Sequence, residues 1–215
     1  MRKLFLFGAL LCALCSCGSG SGDSKKGHEY VDLGLPSGLK WATCNVGASS
    51  PEDYGDYYFW GGLSAEDESN SSTCPTYNKD INDFSENPEY DVARANWGGS
   101  WRMPTAAEFQ ELIDHCDWTW TTQNDRKGYK VTGPNGNSIF LPAAGGHGSS
   151  GPNPWVAGKE GHYWSSTPYR TWKDAANGLY LNARNQGVTY EFRSHGCSVR
   201  PVQGEKKLAE QYLGI

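Results

Sequence analysis

The stretch from Ser166 to Gly196 carries the residue types that proteins most often use to hold a ligand. Its aromatic rings offer a large contact area at a low cost in conformational entropy, and its asparagine and serine side chains form adaptable hydrogen bonds. Such a mixture predicts a surface that binds a ligand. The candidate ligand-binding residues are Tyr169, Arg170, Trp172, Lys173, Asn177, Tyr180, Asn182, Tyr190, Phe192, Arg193 and His195. The alternative is that these rings only pack the protein interior, because the chain is poor in aliphatic side chains.

A predicted strand over 176–182 positions the centre of this stretch. Successive side chains of a strand point to opposite faces, so Leu179 and Leu181 share one face. Tyr180 and Asn182 share the other face. We expect the leucine face to lie in the core, which would leave Tyr180 and Asn182 exposed.

A second predicted strand, over 188–193, alternates in the same way. Val188, Tyr190 and Phe192 share a face, but the pattern does not say whether that face is outward. The other predicted strands are 29–35, 39–44, 129–132, 138–141, 163–167 and 198–202. An Asn-Gly turn between 129–132 and 138–141 predicts a hairpin.

One helix is clearly marked, over about 105–116. Thr105 is followed three residues later by Glu108, which is the pattern of a capping box. One face of the helix is apolar over two turns, as expected for a helix that packs on a core. The apolar residues are Phe109, Leu112, Ile113 and Cys116.

The composition is that of one folded, loop-rich domain. The chain has 215 residues with 27 Gly and 11 Pro, which excludes a coiled coil or a helical bundle. Its 9 Trp and 12 Tyr supply the apolar surface that a core needs. A mean hydropathy of −0.65 excludes a multi-pass membrane protein, and a pI near 5.5 argues against a nucleic-acid partner.

The first residues predict export. A basic start precedes an apolar run over 4–14, which is too short to span a bilayer and is typical of a signal peptide. The letters LCSC that follow resemble a bacterial lipobox, so we expect a lipoprotein signal peptide over 1–16 and lipidation of Cys17. A flexible tether over 17–27 would follow. An ordinary signal peptide cut near Ser16 is the alternative.

The remaining cysteines and histidines do not form a recognisable reactive site. An even number of cysteines in an exported protein permits two disulfides, with three possible pairings. The four are Cys44, Cys74, Cys116 and Cys197. None has metal-site spacing and the five histidines are scattered, so we expect no metal and no cofactor. Because the motifs H-E-x-x-H and G-x-S-x-G and a phosphate loop are also missing, we predict no catalytic residue.

Several blocks of the sequence resemble a known family. They are YVDLGLPSGLKWATCNVGA (30–48), WRMPTAAEF (101–109), GYKVTGPNGNSIFLPAAG (128–145), YWSST (163–167), AANGLYL (175–181) and GCSVRPV (196–202). Together they resemble the Fibrobacter succinogenes major paralogous domain, which occurs in exported lipoproteins of gut Bacteroidales. The WRMPTAAEF block resembles the formylglycine-generating-enzyme branch of the C-type-lectin-like fold. The resemblance implies an α+β, C-type-lectin-like domain over 28–203 with paired terminal strands and long irregular loops, and a tail over 204–215.

The resemblance also bears on function. Formylglycine-generating enzymes use paired cysteines near the C-terminus to hold copper, whereas only Cys197 lies in that region here. Calcium-dependent lectins of this fold use triplets that contain a carboxylate, and the nearest strings, at 133–135 and 151–153, lack one. The segment before the closing strand resembles variable regions of diversity-generating retroelement targets, in which Cys197 could be a chance product of diversification.

These observations lead to one functional expectation. We predict a non-catalytic ligand-binding or adhesion lipoprotein, anchored by lipid in the bacterial outer membrane on its periplasmic face or at the cell surface. Its partner would be a protein or a glycan. The alternatives are a lectin that works without calcium, and an enzyme of the formylglycine-generating type.

Overall fold

The computed structural model describes residues 27–66, 70–148 and 154–206. The predicted signal peptide, Cys17 and nearly all of the tether lie outside these described residues, as does most of the tail. In chain order, the strands and helices are β1 (Tyr30–Asp32), β2 (Lys40–Ala42), α1 (Val92–Trp97), α2 (Ala106–His115), β3 (Asp117–Gln123), β4 (Arg126–Thr132), β5 (Ser138–Pro142), β6 (Glu160–Pro168), β7 (Ala175–Asn182), β8 (Gln186–Phe192) and β9 (Val202–Gln203).

The predicted α+β, C-type-lectin-like fold class is wrong. Across the described ranges, nine strands form three small antiparallel sheets, and the only helices are α1 and α2, of six and ten residues. The architecture is therefore mostly β. The one helix predicted from the local pattern is present as α2, but the prediction did not include β3, which forms a sheet with β4 and β5.

The first sheet, in the order β1-β2-β9, joins the two ends of the domain. Trp41 of β2 lies opposite Val202 of β9. The terminal strands β1 and β9 therefore flank β2 and do not pair with each other, which corrects the predicted pairing of the terminal strands. The closing strand is shorter than the predicted 198–202. Pro201, which has no N–H to donate, directly precedes β9.

The other two sheets are meanders in the orders β3-β4-β5 and β6-β7-β8. The predicted hairpin is confirmed, because β4 and β5 pair antiparallel from Gly128 opposite Pro142 to Thr132 opposite Ser138. The third sheet consists of the predicted strands 163–167, 176–182 and 188–193 with slightly different ends. Its strands carry five of the eleven candidate ligand-binding residues, and the other six lie in the loop between β6 and β7 or directly after β8.

Helix α2 packs against this third sheet. Its predicted capping box is present: the Thr105 hydroxyl accepts from the backbone N–H of Glu108, and the Glu108 carboxylate accepts from the backbone N–H of Thr105. Arg102 completes the arrangement with two hydrogen bonds to the same carboxylate, at 2.6 and 2.8 Å, entirely within the interior. The start of the helix is therefore fixed to the chain that precedes it.

The core consists of two clusters of buried side chains. The larger one contains Trp41 and Phe109 together with the leucine face of β7. The second is built around Trp60 and Trp164. As the composition predicts, large aromatic rings supply much of this buried surface. In the described part of the chain, no helix is long and apolar enough to cross a membrane.

Candidate ligand-binding surface

Strand β7 divides its side chains as the alternation predicts. Leu179 and Leu181 are buried in the larger core cluster, which confirms the predicted core face. Tyr180 and Asn182 lie on the opposite face and are half-buried rather than exposed. The Asn182 side-chain amide donates to the Tyr180 hydroxyl at 2.6 Å, and the Tyr180 ring contacts the ring of His162.

Strand β8 settles which of its faces carries exposed aromatic rings. Val188 packs against the core, yet Tyr190 and Phe192 on the same face are 38% and 42% exposed. Large apolar side chains are usually covered, so two such rings in alternate positions of one strand are informative. The exposed end of this face is a candidate contact surface.

Three rings at this end form a cluster that we call the aromatic platform: Tyr169, Trp172 and Tyr190. The rings of Tyr169 and Tyr190 stack with their centroids 4.7 Å apart, and the Trp172 ring stands at 89° to that of Tyr190 at 5.0 Å. Trp172 is 45% exposed. Edge-to-face and stacked contacts at these distances are mutually favourable, so the cluster is held in place by its own members.

Backbone and side-chain hydrogen bonds hold the loop that carries the platform. The N–H of Ala175 donates to the Trp172 carbonyl at 3.1 Å, and the Asn177 side-chain amide donates to the Pro168 carbonyl at 2.9 Å. Lys173 forms an ion pair of 2.7 Å with Asp80 from a distant loop. Both charges of this pair are exposed, so it contributes little stability.

Arg193 is not available to a ligand, which corrects its prediction as a contact residue. It is 2% exposed, and its guanidinium donates to the carbonyl oxygens of Ala175, Thr76 and Lys79 at 2.9 to 3.0 Å. It also lies 4.2 Å above the ring of Trp60. Arg193 therefore joins the end of β8 to the start of β7 and to the loop at 76–79.

A second group of titratable side chains lies on the third sheet. We call Glu160, His162, Glu191 and His195 the His–Glu cluster. The carboxylate of Glu191 lies between the two imidazoles, 2.9 Å from Nδ1 of His195 and 3.4 Å from Nδ1 of His162. Burial alone would raise the pKa of Glu191, but hydrogen bonds from both histidines and from the backbone N–H of Phe192 lower it to about 2.

The platform and the His–Glu cluster occupy opposite faces of the same sheet. Tyr190 lies opposite Asn177 across β7 and β8, whereas His162 lies opposite Tyr180 across β6 and β7. Positions 177 and 180 are an odd number of residues apart, so their side chains point to opposite faces. The predicted contact residues therefore do not form one continuous surface.

The predicted ligand-binding residues differ in their exposure to solvent. Arg170, Trp172, Lys173, Tyr190 and Phe192 are exposed; Tyr169, Asn177, Tyr180, Asn182 and His195 are half-buried; Arg193 is buried. The sequence reasoning missed His162, Glu191 and Trp155, whose ring meets that of His162 edge-on at 4.3 Å. The pairing of β6 with β7, extended to residue 162, would have placed His162 beside Tyr180.

The four cysteines of the domain are free thiols in this structure. Cys74 and Cys197 are buried, and the Cys74 thiol donates to the Arg193 carbonyl at 3.2 Å. Burial raises the pKa of the Cys197 thiol well above its ordinary value, which disfavours the reactive thiolate. Within the ranges that the structure describes, no three His, Cys, Asp or Glu side chains are grouped to hold a metal ion.

Comparison with known proteins places the chain in a family. Searches of the curated proteins and of the solved structures found no match. The family model described as the Lcl C-terminal domain matches residues 35–203, which is most of the chain. This match supports a lipoprotein-like protein of the cell envelope, and so confirms the resemblance to lipoprotein domains at that level. The chain belongs to the Lcl C-terminal domain family.

Proposed function

We propose that this domain is a non-catalytic ligand-binding or adhesion module of the bacterial cell envelope, and that it holds its ligand on the aromatic platform. One observation carries the proposal: Trp172 and Tyr190 are in ring contact with each other, yet they are 45% and 38% exposed. Contiguous exposed apolar surface marks interaction sites. A partner that covers these rings gains the free energy of burying apolar surface, and little conformational entropy is lost because the rings are already packed against one another.

The alternative, that these rings only pack the interior, does not account for their neighbours. Neither core cluster includes Tyr169, Trp172 or Tyr190, which contact one another instead. Exposed Arg170 and Lys173 flank the cluster and add polar contacts at its rim. A central group of rings surrounded by polar side chains is the usual arrangement of an energetically important contact.

Lipidation of Cys17 would hold this module at the outer membrane, with the tether over 17–27 between the lipid and the domain. The lipobox-like letters before Cys17 and the family match support this part of the proposal. Mass spectrometry of protein extracted in mild detergent tests it. An unmodified mature N-terminus would contradict the anchor.

A glycan held without calcium is the second candidate ligand. The perpendicular arrangement of Trp172 and Tyr190 favours it, because two ring faces meet at a corner. The face of an aromatic ring carries partial negative charge, which attracts the polarised C–H groups of a sugar. A protein ligand would use the same rings as anchors.

An array of glycans and host proteins tests the proposal. We expect reproducible binding that is lost in Trp172→Ala and Tyr190→Ala, because removal of a central aromatic anchor typically costs about 2 kcal/mol or more. Tyr30→Ala is the matched control, since Tyr30 is 39% exposed but lies in the first sheet. Equal loss of binding in Tyr30→Ala would refute the assignment to the platform. Turnover of a substrate that depends on Cys197 would refute the non-catalytic proposal.

A further inference from the structure

A cavity of about 150 Å³ lies between two sheets, away from the aromatic platform and the His–Glu cluster. Val31 of β1 and Thr43 form one wall, and residues 138–140 of β5 form the opposite wall. Both β1 and β5 are edge strands of their sheets. A cavity of this volume has room for a single six-membered ring.

Hydrogen bonds fix the cavity at both ends. At one end the side-chain amides of Asn135 and Asn137, in the β4–β5 turn, both donate to the Asp32 carbonyl at 2.9 Å. At the other end the Gln123 amide donates to the Glu52 carboxylate at 3.1 Å. The distance between the walls is therefore set by the protein itself, as in most small-molecule sites.

The chemistry of the lining is mixed in a specific way. Lys130 lies opposite Phe140 across β4 and β5, and Ser138 is two residues from Phe140, so all three side chains share one face of the sheet. In the part of the chain that the structure describes, neither the Lys130 ammonium nor the Ser138 hydroxyl has a hydrogen-bond partner. The cavity therefore has an apolar side, which includes Val31, and two hydrogen-bond donors without a partner among the described residues, Lys130 and Ser138.

We propose that this cavity binds a small carboxylate with a compact apolar body, such as a simple aromatic acid. The apolar body lies against Val31 and Phe140, while the carboxylate accepts hydrogen bonds from Lys130 and Ser138. A charged hydrogen bond from an ammonium to a carboxylate is stronger than a neutral one, so Lys130 selects for the charge. This site does not depend on the proposed function of the platform.

Ligand-observed NMR with the purified full-length protein tests the site, with benzoate as the probe. We expect benzoate to bind with a dissociation constant on the order of millimolar, because a ligand of so few atoms gains little total binding energy. Lys130→Met should weaken binding about tenfold or more, and Ser138→Ala by a smaller factor. Benzyl alcohol has the same shape without the charge, and it should bind about tenfold more weakly than benzoate.

Lys127→Met is the matched control. Lys127 is exposed on the same strand, three residues from Lys130, and so lies on the opposite face. Its replacement should leave benzoate binding unchanged. The proposal is overturned if benzoate gives no saturation transfer, if benzyl alcohol binds equally well, or if Lys127→Met weakens binding as much as Lys130→Met. Displacement of benzoate by equimolar inorganic phosphate would also overturn it, because phosphate has no apolar body.

Discussion

Replacement of Arg193 by methionine should destabilise the domain without touching the proposed ligand surface. Methionine keeps the aliphatic length of the side chain but removes the guanidinium and its three hydrogen bonds. The carbonyls of Thr76 and Ala175 also accept from the backbone N–H groups of Lys79 and Tyr169. Among the described residues, the Lys79 carbonyl accepts only from Arg193, but it belongs to an exposed residue and is only part-buried.

The magnitude follows from these contacts. Each of the three hydrogen bonds that the guanidinium donates contributes about 1 kcal/mol. Loss of the cation–π contact with Trp60 adds about 1 kcal/mol. We expect Arg193→Met to lose roughly 4 kcal/mol of unfolding free energy. For a domain of this size, that corresponds to a Tm lower by about 10 °C.

Thermal and urea unfolding of the purified protein measure this loss. Arg170→Met is the control, because Arg170 is exposed and should change Tm by less than about 2 °C. Arg193→Lys should recover only part of the stability, since an ammonium cannot reach three carbonyls in the same fixed geometry. A Tm for Arg193→Met within about 2 °C of the wild type would refute the reasoning.

Three further changes test other parts of the fold. Thr105→Ala removes the cap of α2 and should lower the urea midpoint by an amount equivalent to about 1 kcal/mol; Thr105→Ser should not. The pKa of Glu191 is about 2 in the folded state and ordinarily 4.5, so its stabilisation is complete above pH 4.5 and lost as the pH falls toward 2. Between pH 6 and pH 2 the wild type should therefore lose about 3 kcal/mol more than Glu191→Gln, and parallel pH profiles would contradict this. Gly178→Ala should destabilise the third sheet, because its new Cβ would lie 2.4 Å from the Tyr163 carbonyl oxygen; an unchanged Tm would show that the strands separate without cost.

The elements that local patterns specify could be predicted from the sequence. The capping box marked the start of α2, and the alternation of β7 identified its buried leucine face. Strand β3 was missed although Trp118 and Trp120 alternate with polar residues in it. The fold class was wrong because it rested on a resemblance of motifs, which does not count the strands between them.

The candidate site was only partly predictable, for a physical reason. Arg193 was expected to be a contact residue from its type and neighbours, but its burial depends on carbonyls that lie more than a hundred residues earlier in the chain. No local pattern carries that information. The separation of Tyr180 from Tyr190 onto opposite faces also depends on strand register, which a list of residue types does not contain.

The pairing of β2 with β9 has a practical consequence for engineering. The domain begins in β1 and finishes in β9, which flank β2 in the same sheet and so lie two strand spacings, about 10 Å, apart. Units whose ends are adjacent tolerate circular permutation and transfer into surface loops of unrelated hosts. A circular permutant would have its original termini joined by a short glycine-rich linker and new termini in another loop. Such a permutant could be inserted into a host protein without distorting the host's structure.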